Sequence, residues 1–560
     1  MRIIHEHNGE RREGEGRGLG AGMFLLTNKK GTWLSLAPEN ITKYNGLIHY
    51  DAVADTYVKT IADFVLATKP RTIINRVSSV ERQHDHARET FWMSSTALHY
   101  HLENYTGPLI LDLDTRRLDD ESTDGRSYHL EQEGDVLLIH YEKRGGPRGT
   151  YAYWVACKGL STHERIDRWE ERHFPYDEQR GDASTFWVYR ACALPIHGRA
   201  RLVITRSATR EKALAKVERA WTEEEEIVES LEHAAQRRYQ TGSLIRDLAL
   251  AALDALTTKR KGSFTGIYAG LPWFHQFWSR DELISAAPLI TTEQYSLMKE
   301  LLVRYYERLD TPLEAQYPSG GLRAVDALGW LAIRTHELLA KLEAQGILAD
   351  YFTRLELAYL RDRLQFALRE RFRTQLRDGL IVSGPGETWM DAQWGGDDRA
   401  GACIEIQAQT LRALKLAQFL EQKTRLFPSS EWRKREKALH ERVRGVFFRG
   451  GVLADRAGDP TQRPNVFLAY SAYPQLLSRE EWRGVFDAAL PSLFLEWGGL
   501  ASIATTHPLF TTHYTGMNNK SYHRGDSWFW VNCLAAQSLH RIAPEHYHET
   551  IARLMDAAVA

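Results

Sequence analysis

"TREKALAKVERAWTEEEEIVESLEHAAQRRY", residues 209–239, is where the chain changes its period. Before it, apolar residues alternate in short runs punctuated by Gly, Pro and Asn, the pattern of strands. Within it and after it they recur every three or four residues, the spacing of a helix with one buried face. The stretch itself is dense in charge and reads as one linker helix on the surface between domains. It divides the chain into a strand-rich domain (1–208), a linker (209–239) and a helical domain (240–560).

Upstream, "GMFLLTNKKGTWLSLAP" (22–38) reads as a hairpin around Asn28 to Gly31. "DVLLIHYEKRGGPRGTYAYWVACKG" (135–159) is two alternating runs joined by a Gly/Pro turn, and "STFWVYRACALPIHGRARLVITRS" (184–207) repeats that pattern. Short strands at regular spacing predict a β-sandwich, with one helix near 83–98. Downstream, helices are expected at about 240–257, 281–290, 293–309, 325–345, 351–376, 403–424, 429–448, 478–490, 527–542 and 545–559. "SSEW" (429–432) and "SREEW" (478–482) look like capping boxes, and Pro544 is placed in a first helical turn. Helices joined by short connections pack as antiparallel neighbours. Six such hairpins closing on themselves make an (α/α)6 toroid, so the expected class is a multidomain α+β chain. The chemistry of such a ring belongs to the long polar loops of one end, here 258–280, 311–324, 380–402, 450–466 and 493–526.

Composition narrows the partners. Lys+Arg (72) balances Asp+Glu (73) over 560 residues, so there is no basic field for nucleic acid or an anionic membrane. Cys157, Cys192, Cys403 and Cys533 are far apart, without a CxxC pair, and indicate neither a zinc site nor a disulfide framework. No metal or cofactor is expected. The start, "MRIIHEHNGERREGEG", lacks a signal-peptide core, no run approaches the ~18 apolar residues of a membrane span, and a cytoplasmic protein is expected. Nothing in the sequence speaks to oligomeric state. The aromatics stand out: 16 Trp, 24 Tyr and 20 Phe, with Trp in polar company in "PWFHQFWSRD", "ETWMDAQWGGDD" and "RGDSWFW". Most serve the core. Tryptophan beside several charges is also how a site receives a sugar, ring faces on C–H faces and charges on hydroxyls.

"GPGETWMDAQ" (384–393) places Glu387 and Asp391 around an exposed-looking Trp389. Hydrolysis of a glycosidic bond needs one protonated and one ionised carboxyl group. Asp391 suits the acid, with Glu387 competing, and a loop-capping Asp391 is the bland alternative. In "WFHQFWSRDELIS", Arg280 and Asp281 follow Trp278 at a helix start. They read as a donor–acceptor clamp for vicinal hydroxyls, or Asp281 is a helix-start acid and no more. "SYHRGDSWFWVN" repeats the theme with His523, Arg524, Asp526 and Trp528, where Asp526 could equally be an N-cap.

These segments resemble the C-terminal amylo-α-1,6-glucosidase region of glycogen debranching enzymes. The family's "WGRDTMI"-like, "VDA-LW", "LTWMDA", "VEI-AL", "RPNQ-FA-S-P" and "YH-G--W-W" segments correspond in order to "WSRDELI", "VDALGW" (325–330), "ETWMDA", "IEIQAQTL", "RPNVFLAYSAYP" (463–474) and "YHRGDSWFW", covering about 260–540. "TKYNGLI" (42–48) is similar to "RKYHGLL" in the N-terminal domain of bacterial and archaeal relatives, where a β-sandwich precedes the toroid. The resemblance implies an inverting α-glucosidase of glucoamylase-like fold, with Asp391 as general acid and Arg280, Asp281 and Asp326 binding the glucose to be released. Eukaryotic relatives carry the base in "YHQGPEW". The ungapped equivalent here is Ser527, and the carboxylate stands one place earlier, at Asp526, with Glu496 in "LEWGG" as the reserve base. The expected substrate is an α-glucan, and the expected activity is removal of α-1,6-linked glucose. Three alternatives stand beside it: exo-hydrolysis of α-1,4 ends as in glucoamylase, phosphorolysis by an enzyme of the same architecture, and glycan binding without catalysis.

Overall fold

The computed structural model describes residues 3–6, 23–146, 149–238, 241–259, 264–317, 320–425, 427 and 429–558. Residues 1–2 and 7–16 of the start read for a leader, and the centre of the Gly/Pro turn, Pro147 and Arg148, lie outside the described residues. The chain forms two compact units, Met1–His275 and Gln276–Ala560.

The first unit is built on a 14-stranded antiparallel sheet. Its spine is a pair of long strands, Leu98–Arg117 and Thr185–Ser207, in register from Tyr189 opposite Leu113 to Ile204 opposite Leu98. Each is long enough to carry different neighbours along its length. Leu98–Arg117 pairs with Arg88–Met93 near its start and with Thr56–Val65 near its end. Alternating apolar residues of both strands, among them Tyr100, Leu102, Leu109, Leu111, Cys192, Leu194 and Leu202, enter one continuous core. The segment 184–207, read as two runs and a turn, is therefore one strand. Its Gly198, with φ 84°, lies opposite a bulge at Asn104 of the partner strand, with no reversal of the chain. The helix expected near 83–98 is absent. There Ser79–Gln83, Arg88–Met93 and Leu98–Arg117 run antiparallel, and the Ser94 hydroxyl accepts from Ala97 N at 3.0 Å to close the second turn. Two consecutive hairpins, closed by the turns at 84–87 and 94–97, decide this segment over its helical spacing.

"TKYNGLI" earns its composition within this unit. Asn45 Oδ1 accepts from the backbone N–H groups of Ile41 and Thr42, and buried Asp177 accepts from the Thr42 hydroxyl and from Lys43 N. Gly46 has φ 120°, and a Cβ there would lie 2.2 Å from Ile61 O, so only glycine lets the strands approach. The 209–239 segment is two helices, Arg210–Thr222 and Glu224–Arg238. The first is capped by Thr209 and lays Ala213, Val217 and Ala220 on Val136, Leu138, Ala156 and Val203 of the sheet. Glu224, at the break, is buried and accepts from His99 Nδ1 at 2.8 Å.

The second unit is helical. Its main helices are Ser279–Ser285, Ala287–Thr291, Tyr295–Tyr306, Ala327–Ala344, Arg354–Gln375, Ile404–Thr424, Glu431–Phe447, Asn465–Ala472, Arg479–Leu493, Phe529–Ile542 and His548–Ala557. Ile404–Thr424 is buried on most of its surface and packs against Ala327–Ala344, Arg354–Gln375, Glu431–Phe447 and Asn465–Ala472. Ser478 and Glu481 form the reciprocal capping box read from the sequence, whereas Ser430 makes no side-chain cap. Pro544 precedes its helix, which starts at His548. The long segments 380–402 and 493–526, largely without regular structure, carry most of the candidate site.

Candidate active site

Three segments distant in sequence meet at one arginine, and a fourth joins them through Asp391. Arg280 lies in the first turn of Ser279–Ser285, a helix tethered by Ser279, whose N–H and hydroxyl donate to Ala315 O and Glu314 O. Its guanidinium grips Asp326 with two hydrogen bonds, Nε to Oδ2 at 2.6 Å and Nη2 to Oδ1 at 3.1 Å, and reaches Asp391 Oδ2 from Nη1 at 3.1 Å. Asp326 occupies the N-cap position of Ala327–Ala344 but does not cap it, because its carboxylate is taken by Arg280. The other oxygen of Asp391 meets His523 Nε2 at 3.3 Å. Val325 N donates to Glu387 O, fastening the "VDALGW" segment to "ETWMDA".

The charges of this group fix its protonation. Burial alone would lower the pKa of Arg280, but Asp326 and Asp391 outweigh it and the guanidinium stays charged. Burial pulls His523 down to about 4 against the attraction of Asp391, so at neutral pH the ring is neutral and its Nε2–H donates. Asp391 is 39 % exposed at its side chain; burial would raise its carboxyl, and His523 and Arg280 together bring it below the ordinary value. Asp281 is crowded but still open to solvent. Desolvation by the surrounding protein pushes it up to about 6, against the pull of Arg280, and solvent access screens the cost of that shift. Asp526, half-buried, is also raised by burial, partly offset by a hydrogen bond from Ser521 Oγ at 3.1 Å.

Trp389, expected to stand exposed, is 4 % exposed. Its Nε1 donates to Asn465 Oδ1 at 2.7 Å, and its ring meets His523, Trp528 and Trp530 edge to face. Trp528 stacks on His523, with centroids 5.2 Å apart and planes at 19°, and donates to Tyr522 O. These rings therefore form a wall that fixes His523, and through it one oxygen of Asp391. Trp278 is half-buried at the residue preceding the Arg280 helix. Arg524, read as a sugar contact, is buried and spends its donors on Ala392 O, Asp397 O and Asn519 O, with Asp397 as its ion-pair partner. It clamps the loop that follows Asp391. Glu387 closes its own turn by accepting from Gly384 N at 2.7 Å.

Asp526 shares a turn with His523, the residue that touches Asp391. Arg524 N and Asp526 N both donate to Ser521 O, and Gly525 N donates to Ser502 Oγ. Ser527, the ungapped position of the family's base, is bonded to the Asn532 side chain. Glu496 is exposed in the turn before Leu500, and its carbonyl accepts from Arg553. Several supporting residues carried no individual reading in the sequence. Arg463 donates to His523 O and to Asp397 Oδ2. Asn465 links Trp389 to Asp455, and buried Arg399 bridges Asp455 and Glu405. The signal available was the "RPN" of 463–465 and the "IEI" of 404–406, which belonged to resembling segments without an assigned purpose.

The family model described as amylo-alpha-1,6-glucosidase matches residues 250–559, more than half of the chain. The chain belongs to the amylo-alpha-1,6-glucosidase family. It is thus a glycoside hydrolase, and the matched span contains every residue of the network around Arg280. A bacterial glucoamylase solved with acarbose is similar in fold over 100 % of this chain and 91 % of its own, with 9 % identity and a TM-score of 0.61. That degree of identity speaks for the fold alone. A family 63 mannosylglycerate hydrolase from Thermus thermophilus, solved with glucose, aligns with 57 % of this chain and 91 % of its own at 16 % identity and a TM-score of 0.40. No curated protein sequence matches the chain.

Proposed function

We propose that this family member is an exo-acting, inverting α-glucosidase that releases glucose from α-1,6-linked positions of α-glucans, in an (α/α)6 toroid spanning about 240–560 that follows an N-terminal β-sandwich in the sequence. The observation that carries the reading is the shared guanidinium: Arg280 ties Asp326 to Asp391 while His523 holds the opposite oxygen of Asp391. Asp281, Arg280 and Asp326 offer acceptors and a donor for the hydroxyls of one glucose. Asp391 donates its proton to the glycosidic oxygen as the C1–O bond breaks. Asp526 removes a proton from a water that attacks C1 from the opposite face, and the product is β-glucose. Arg280 and His523 favour the ionised form of Asp391, the form that proton donation creates. They make it a strong acid, at the cost of a smaller protonated population in the empty site. Sugar filling the site would displace water from its exposed part and shift it back towards protonation.

A second assignment exchanges the carboxylates, and the protonation states favour it: Asp526 is pushed up, as a proton donor is, and Asp391 is held down, as a base is. Rescue chemistry separates the two. With Asp391 as acid, Asp391→Asn should lose ~10²- to 10⁴-fold on oligosaccharides yet keep hydrolysis of α-glucosyl fluoride, whose leaving group needs no proton. Asp526→Asn should lose both and regain turnover with azide. The reverse pattern supports the exchange. Near wild-type activity of both variants would sink either assignment.

A further inference from the structure

The turn between Phe494 and Leu500 holds one tryptophan in an unusual way. It is closed by Gly498 N on Leu495 O and Leu495 N on Gly499 O, and fixed from outside by Leu500 N on Asn532 Oδ1 and by Arg553 on the Glu496 carbonyl. Two glycines are needed. Gly498 has φ 108°, and a Cβ there would lie 2.6 Å from Arg553 O. Gly499 is required for space: a Cβ would lie 2.2 and 2.6 Å from the Trp497 ring and 2.6 Å from Ser527 Oγ. The indole is thus folded over Gly499 with Ser527, the neighbour of Asp526, against the same point. For all this support Trp497 remains 60 % exposed. A single exposed apolar side chain ordinarily needs no explanation. A turn that uses two glycines and several backbone tethers to carry an indole in the open, next to the turn carrying Asp526, does.

We infer that Trp497 is the platform of a second sugar-binding position, taking by its ring face the glucose unit adjoining the one released. This rests on the exo-acting reading above. In a site that encloses one terminal glucose, whatever lies beyond the rim meets the leaving chain. A flat aromatic face binds the C–H face of a pyranose, and a ring seated against Gly499 on a tethered turn gives that contact at reduced entropic cost.

The test compares Trp497→Ala with the native chain on panose and on α-glucosyl fluoride, which has no second sugar. On panose, KM should rise roughly tenfold with kcat little changed; on the fluoride both constants should stay within about twofold. Trp497→Phe should recover most of the panose KM, and thermal stability should hold in both variants. Equal losses on the two substrates, or an unchanged panose KM, would overturn the platform. A native chain that hydrolyses neither substrate would instead overturn the exo-glucosidase reading, whatever the variants do.

Discussion

Asp281 shows how a single side chain can be costly to the fold and valuable to the reaction. Its carboxyl is raised to about 6, whereas in an unfolded chain it titrates near ~3.9. The native state therefore binds this proton more tightly. Stability contributed by the protonated form is fully present below ~4 and is lost as pH rises through about 6. Asp281→Asn, which removes the charge and keeps the shape, should raise Tm at pH 8 by on the order of 1 °C and leave it nearly unchanged at pH 4. The same variant should cut kcat/KM by ~10²-fold, because a sugar hydroxyl loses its charged partner. Calorimetry at the two pH values and steady-state kinetics check both halves. An equal Tm change at both pH values, or intact kinetics, would leave Asp281 as a helix-start residue only. Residue types were legible here: Arg280, Asp281, Asp326 and Asp391 were all singled out from local pattern and resemblance. Orientation was not. Trp389 beside two acids reads as exposed, and only Asn465 and the neighbouring rings show why it turns inward.

At the scale of elements, the loop carrying Asp391 is held by buried charge. Arg399, with φ 47°, sends Nη1 and Nη2 to the two oxygens of Glu405 at 2.8 and 3.2 Å, and Nε and Nη2 to those of Asp455 at 3.1 and 2.9 Å. It joins the end of the loop to the first turn of Ile404–Thr424 and to Asp455, which also holds Asn465 beneath Trp389. Arg399→Ala would leave buried Glu405 without its counter-charge and Asp455 with Arg463 alone, and should cost about 3–5 kcal/mol. Urea unfolding of the variant measures it, and a loss under ~1 kcal/mol would show that the cluster is not what fixes the loop. Helix positions were legible downstream because burial on one face imposes a period. The Arg399 cluster was not, since its partners are separated by up to 56 positions. In 83–98 consecutive hairpins override a helical spacing, and in Thr185–Ser207 a left-handed glycine opposite a bulge reads as a turn.

At the scale of the molecule, the change of period at 209 falls inside the first compact unit, which runs to His275, and no helix among the described residues is long and apolar enough to cross a membrane. The N-terminal unit owes its form to two strands that each serve several neighbours, a property of the folded sheet that no window of sequence contains. The helical unit gathers the Arg280, Asp326, Asp391 and His523 segments, and the family match covers all of them. Amylo-α-1,6-glucosidase chemistry by inversion is the central claim, and it has a direct stereochemical readout. Proton NMR of the first sugar released from panose, in phosphate-free buffer, should show β-glucose ahead of mutarotation. Initial α-glucose, or no turnover until phosphate is added and glucose phosphate appears, would contradict the account.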